Sequence, residues 1–520
     1  MARTEKTGAH PASDIEAVQL DRDNITSEKA GPRPGEYVEN PAKYNQETEH
    51  IGTLERRLKS RHVQFLALSG AIGTGLFVRQ WPGHLLAGPL SAVLSYAITG
   101  FNLFCVINSL GEMVTWLPLP GAVPIFATRY VDEALGFTLG WNYCLPKAGL
   151  LTIFYVAMVI VNCFPVNIYG EAEFIFGAIK LTTIVGLICS CSSLRVAALP
   201  QKALSADSLP SGKVFIQATF SYGGSEMVAV AAGETENPRR NIPKAVRRVF
   251  WRILLFYVLA MFLVCMCVSS EDPKLLNAIS SNAPGANQSP FVIAIDNAKI
   301  KTLPGILNGI VLTSAWSAGN SFFYSSTRVL YSAALDGKAP AFLRYEKFGV
   351  PYGCVAMTSA LGLLTYLNVN EQSNEVFFWI SNISAVSTLI VWAAISYTYV
   401  RFYHALRYNG VDRDTLPFKS PLQPYLAWFS ICFCLHIAFF NGFDCFFPGK
   451  FSAKTFIPPY IDIPIVLCLF FGYKFVKKTK FVRVEEMDIW SGKAEIDRLE
   501  PLWPVVSRRN FLERIWFWIA

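Results

Sequence analysis

Two apolar stretches of this chain are interrupted by glycine at mid-length, and the interruptions carry its most specific chemistry. In HVQFLALSGAIGTGLFV, His62–Val78, they are Gly70, Gly73 and Gly75, with Thr74 among them. In FSYGGSEMVAVAAGETENP, Phe220–Pro238, they are Gly223 and Gly224, with Glu226 just beyond. Each interior glycine costs a helix about 1 kcal/mol relative to alanine. A break also frees backbone N–H and C=O groups, which membrane depth tolerates only beside protein or a water-filled cavity. Freed N–H groups at the start of a half-helix suit a carboxylate, and freed carbonyls suit an ammonium. The pair would recognise a zwitterion, an α-amino acid, without any ionised side chain. Paired discontinuous helices at matching positions are a device of secondary transporters. Close packing alone predicts small residues at every fourth position, not a Gly-x-Gly cluster around a threonine. Glu226, bordering the second break inside an apolar helix, is expected to carry a proton, because charges within spans are expensive and functional by default.

The elements that must position these residues are membrane spans. Of 520 residues, 52% are hydrophobic and 16% charged, against roughly 25% charged in soluble domains, and mean hydropathy is +0.33. Apolar runs of about 20 residues recur, with candidate crossings at 63–86, 90–117, 137–166, 174–194, 214–233, 250–270, 304–327, 354–368, 376–400, 424–447 and 459–476. The composition predicts an all-α polytopic membrane protein. Residues 1–62 read as a polar, disordered tail, 63–476 as the membrane domain and 477–520 as a C-terminal tail. The net charge of +8 sits beside spans, so it reports topology and not nucleic acid. Basic intervals at Arg56–Arg61, Arg239–Arg248, Arg328–Lys347, Arg401–Lys419 and Lys474–Lys480 are expected to be cytoplasmic, with both termini. The twelve cysteines lack disulfide or metal-ligand spacing and read as small buried hydrophobes. No phosphate loop, metal set or nucleophile elbow is present, so neither an enzyme nor a cofactor is expected.

Topology exposes a deficit. An even number of crossings must separate the basic arm at Arg56–Arg61 from the basic connector at Arg239–Arg248, yet only five candidates lie between them. The deficit falls in LGFTLGWNYCLPKAGLLTIFYVAMVIVNCFPVNIYGEAEF. Phe137 to Pro165 is 29 residues, about 44 Å of helix, and two spans need about 40 residues plus a turn. Pro146, Lys147 and Gly149 are breakers suited to a turn or a splice scar. Either 137–166 is a shallow hairpin or one helix is missing, and the second reading is preferred.

The segments LKSRHVQFLALSGAIGTGLFV, GEMVTWLP, YGEAEFIFGAIKL, GETENPRRNIPKAVRRVFWRI, LTSAWSAGNSFFYSSTRVLY and DRDTLPFKSPLQPY resemble the fungal amino acid permease family, of the amino acid–polyamine–organocation superfamily, over residues 54–480. The resemblance implies an inverted five-helix-repeat core with two C-terminal helices, and proton-coupled amino acid uptake across the plasma membrane. It further implies that the substrate carboxylate meets Thr74 and the N–H of Gly75, within the Gly73–Gly75 turn. The amino group would face carbonyls near Ala71, Phe220 and Gly223, with Phe220 as an aromatic lid. Lys180 would stand where sodium-dependent relatives bind a cation and would report the outside pH. The competing reading has Lys180 snorkelling from a helix end. Glu112 is expected to be structural.

Three departures from the family bear on transport. Arg79, Gln80 and Trp81 replace small residues, and the loop between residues 194 and 214 is short. Third, 137–170 joins the start of the family's third helix almost directly to its fourth. The third helix is thus expected to be truncated, and transport weak. The alternatives to a symporter are an amino acid sensor on the same fold and an inactive, truncated permease. The expected partners are the amino acid, protons and the lipid bilayer.

Overall fold

The computed structural model describes residues 56, 58–71, 73, 75, 89–143, 152–195, 212–268, 272–280, 289–297, 303–363, 373–449 and 451–502. Among these the architecture is helical, with two isolated bridges, Leu58–Thr235 and Lys347–Val350, and no sheet. The first half contains α1 (Ser60–Ala71), α2 (Pro89–Trp116), α3 (Ala122–Tyr130), α4 (Glu133–Asn142), α5 (Thr152–Asn162), α6 (Val166–Arg195), α7 (Gly212–Tyr222) and α8 (Met227–Val230). A 3₁₀ turn, Ala231–Glu234, follows α8. Next come α9 (Pro238–Cys267), α10 (Pro273–Ser280), α11 (Pro290–Asn297), α12 (Leu303–Leu335), α13 (Tyr352–Gly362), α14 (Ser373–Tyr408), α15 (Tyr425–Phe440), α16 (Ala453–Tyr460), α17 (Asp462–Lys477) and α18 (Lys493–Leu499).

Local chemistry sets the boundaries. Pro118 and Pro120 follow α2, and Gly121, in the left-handed region at φ 60°, opens α3. Asp132 caps α4, its Oδ1 accepting from Ala134 N–H at 2.8 Å. Asn237 adopts φ 43° and Pro238 takes the first position of α9, so Asn-Pro stops one helix and starts the next. By length and composition Pro89–Trp116, Val166–Cys189 and Trp379–Tyr408 are each able to cross a membrane. The 33-residue α12 is about 50 Å long but buries a polar stripe, including Ser314, Ser317, Asn320, Ser321 and Arg328. Buried polar residues face the bundle interior when a helix is in lipid. One continuous core joins α2, α7, α9 and α14 through Tyr96, Tyr222, Tyr257 and Trp392, all fully buried.

Several expected boundaries shift. Residues 137–166 are not one crossing. Helix α4 has 10 residues and α5 has 11, about 15 and 16 Å against a hydrocarbon core of about 30 Å. Residues Cys144–Leu151, the proposed scar, lie outside the described residues. The crossing expected at 174–194 begins at Val166, so Glu173 lies inside α6. The connector Pro238–Arg248 is the first part of α9. Helix α12 runs on to Leu335, so Arg328 belongs to the helix and not to a solvent interval. The expectations on residues 1–55, Thr74, Arg79–Trp81 and the loop after Arg195 lie outside the described residues.

Candidate functional site

The second helix break is present as read. Helix α7 ends at Tyr222, Gly223–Glu226 form a turn, and α8 begins at Met227. Gly223 N–H closes α7 on the Thr219 carbonyl at 2.9 Å, and Met227 N–H opens the next turn on the Gly224 carbonyl at 3.1 Å. Gly224 sits at φ 94°, a conformation glycine alone adopts cheaply. Glu226 is buried and closes its own break: Oε2 accepts from Gly224 N–H at 3.1 Å and from Trp392 Nε1–H of α14 at 3.3 Å. The half-helix before the break is gripped by tyrosines. The Tyr257 hydroxyl donates to the Ser221 carbonyl at 2.7 Å, Tyr96 Oη lies 3.0 Å from Ser221 Oγ, and Tyr222 donates to the Tyr96 carbonyl at 3.1 Å. Nothing in the hydropathy pattern singled out these tyrosines, because aromatic side chains with a polar tip look apolar in a span.

The two breaks meet. A Cβ added at Gly75 would lie 2.6 Å from Ser221 Cα and 2.8 Å from Ser221 Oγ, one residue from Phe220 and two from Gly223. A Cβ at Gly73 would lie 2.9 Å from the Ala318 Cβ of α12. Both glycines therefore serve close helix approach, the packing role that had been set against a binding role. Gly223 differs, since its nearest neighbours, Phe220 O and Thr388 Oγ1, stand at an ordinary 3.5 Å. Phe220 is half-buried on the last turn of α7, and Ala71 is the last residue of α1.

Lys180 does not snorkel. It is 1% exposed and stands at mid-length in α6, with 15 residues of helix after it. Its charge interacts with that of Glu173, two turns earlier. Glu173 is fully buried, Oε2 accepting from Ser317 Oγ at 2.8 Å and Oε1 from the Asn320 amide at 2.7 Å. The Asn162 amide donates to Asn320 Oδ1 at 2.7 Å. Ser317 and Asn320 flank Ala318, which faces Gly73, so α12 carries both the acid's partners and a wall of the first break.

A second buried charge pair closes the C-terminal end of the broken helix. Arg328 Nε–H donates to Glu234 Oε1 at 2.6 Å, and the Tyr324 hydroxyl donates to Oε2. The guanidinium lies 4.6 Å from the Tyr324 ring centroid, and that ring stacks on Tyr169 at 4.2 Å. Alongside, Leu58 N–H donates to the Glu234 carbonyl and Glu236 N–H to the Leu58 carbonyl, each at 2.9 Å. Glu112, expected to be structural, accepts from Tyr399, Arg413 and Ser420 within 2.8 Å. Among the described residues no cluster of His, Cys, Asp and Glu suits a metal ion.

With this geometry in view, the family description "Amino acid permease" matches residues 62–148 and 145–486. This chain belongs to the amino acid permease family. A proline-specific permease of Emericella nidulans is 38% identical over 519 residues, covering 91% of this chain and 94% of that one. A proline-specific permease of Saccharomyces cerevisiae is 39% identical, covering 85% and 79%, and its lysine-specific permease is 34% identical, covering 91% and 84%. A solved manganese transporter of Eremococcus coleocola aligns with TM-score 0.46 at 11% identity, over 80% of this chain and 94% of its own. By its family match, its relatives and its helices, the permease is an all-α polytopic amino acid transporter. Its family match divides at residues 145–148, the junction where the sequence suggested a missing helix. The Emericella match runs over 519 residues while using 91% of this 520-residue chain. Several tens of the relative's positions therefore face nothing here.

Proposed function

We propose that this permease is a proton-coupled symporter of the plasma membrane whose substrate sits where the two helix breaks meet. The observation that carries this reading is the close approach of Gly75 to Ser221, one residue from Phe220 and two from Gly223. Gly73, Thr74 and Gly75 would take the carboxylate, and carbonyls near Ala71, Phe220 and Gly223 the ammonium, with Phe220 as lid. Glu226 would carry the proton, since its carboxylate ties Gly224 to Trp392 and protonation would loosen that tie. Lys180 would occupy a cation's place beside Glu173. Both termini would be cytoplasmic, and residues 63–476 would form the membrane domain of two inverted repeats with two further helices.

Proline is the first substrate to test, because the relatives at 38–39% identity carry that specificity in their names. In fungal cells lacking their own proline permeases, this chain should confer proline uptake that a protonophore abolishes. Uptake indifferent to the protonophore would refute the symport.

A second reading, a permease impaired by a lost third helix, is favoured by the split family match. On this reading uptake is weak, and the native transcript encodes further residues between Cys144 and Leu150. A transcript that reads straight through, with robust uptake by its product, would remove it.

A further inference from the structure

The residues after α17 do not leave the bundle. Val482 N–H donates to the Val131 carbonyl at 2.9 Å, and Arg401 of α14 donates to the carbonyls of Tyr130 and Val482. Trp116, at the end of α2, donates its Nε1–H to the Ile489 carbonyl at 2.7 Å and packs edge-on against Trp490. Arg129 donates to the Ser491 carbonyl at 3.2 Å, and Lys493 lies 5.0 Å from the Trp116 ring centroid. Ile489 and Ile496 are completely buried. At the far end Arg239 Nη1 bonds Asp497 Oδ1 at 2.5 Å and Glu500 Oε2 at 2.7 Å.

Arg239 is the second residue of α9, five residues after Glu234 at the C-terminal end of the broken helix. Between them Glu236 is held by the Leu58 carbonyl. Within four residues, then, the exit of the broken helix is tied on one side to the arm before α1 and on the other to the segment after α17. The rest of that segment is fixed to α2, α3 and α14. Movement of the broken helix's C-terminal end away from those helices must break the Arg239 ion pairs or carry the whole segment with it.

We propose that residues 481–502 are a strap that holds the C-terminal end of the broken helix shut and sets how readily that side opens. The proposal rests on the reading that the broken helix moves during transport. Its test needs no substrate, so the two fail separately. Amide hydrogen exchange on the full chain in lipid nanodiscs reads both strap and gate. Arg239→Glu should speed exchange in 493–499 and also in 231–238, each about tenfold for the loss of two exposed-side ion pairs. Glutamate in the first turn suits the helix dipole, so α9 itself should stay protected. Adding Asp497→Arg and Glu500→Arg to that variant should restore both segments. Ile489→Asp, which touches only the strap's apolar seat, should free both segments without altering Arg239. Unchanged exchange in 493–499 in both variants would overturn the docking. A freed strap with 231–238 as protected as before would overturn the gating role.

Discussion

Alanine at position 75 sets two physical effects of opposite sign against each other. Residue 75 is helical, so replacing glycine should stabilise by about 1 kcal/mol through propensity. The added Cβ, however, would lie 2.6 Å from Ser221 Cα, about 1 Å inside the best carbon–carbon separation. The obstacle is backbone, so no rotamer change relieves it, and Tyr257 and Tyr96 hold the same residue in place. Overpacking of this kind costs roughly 1–3 kcal/mol. A backbone obstacle puts the cost in the upper part of that range, so packing should win and Gly75→Ala should be net destabilising by up to about 2 kcal/mol. Gly223→Ala is the control, because its nearest neighbours stand at 3.5 Å, and it should change stability by no more than about 0.5 kcal/mol. Thermal unfolding of the two purified variants, followed by loss of the monodisperse chromatographic peak, makes the comparison. If Gly75→Ala melts at or above the unmodified protein, the breaks are not in contact and the proposed site loses its geometry.

Other consequences are open to measurement. Glu226→Gln should leave substrate binding largely intact but flatten the pH profile of uptake, and an unchanged profile would move the proton elsewhere. Glu234→Ala leaves the Arg328 guanidinium buried without its carboxylate and should cost about 3–5 kcal/mol, whereas Glu234→Leu with Arg328→Leu should cost less. Chemical denaturation of the three forms decides it, and a double variant no more stable than the single one would show that the pair does not act as a unit. Around Asp497, partial burial disfavours the charge, but hydrogen bonds from Lys493 and Arg239 outweigh it and hold the carboxyl below its usual range. A lowered folded-state value means that its contribution to docking is complete above the free value of about 3.9 and fades as pH falls through the lower one. A fluorine label on Ala494→Cys should therefore report a docked strap at neutral pH and release only in strong acid. Release near pH 6 would contradict this assignment.

The architecture was legible because apolar runs and glycine breaks are strong, local signals. The helix ends were not, and the errors share one cause. The expected spans stopped at 233 and 327 and began at 174, each one residue short of Glu234, Arg328 and Glu173. Hydropathy ends a span wherever a charge appears. In the fold those charges are buried because each finds its partner on another helix: Glu234 with Arg328, and Glu173 with Ser317 and Asn320. Lys180 was placed near a helix end for the same reason, since a span opening at 174 hides the eight residues of α6 before it. The glycines illustrate the opposite limit. Their number and spacing pointed to a break, but only the structure shows that Gly75 also lets one break touch the other. The shortfall of one crossing between the two basic intervals, by contrast, was visible from charge parity and length alone.

The central claim, that substrate lies between the two breaks, is tested most directly by photolabelling. A diazirine-bearing proline analogue, irradiated with the purified permease and mapped by mass spectrometry, should mark peptides containing residues 71–75 and 220–226. Excess unlabelled proline should prevent the labelling. Proline-protected labelling confined to peptides away from both breaks, for instance around Glu112 and Ser420, would contradict the account.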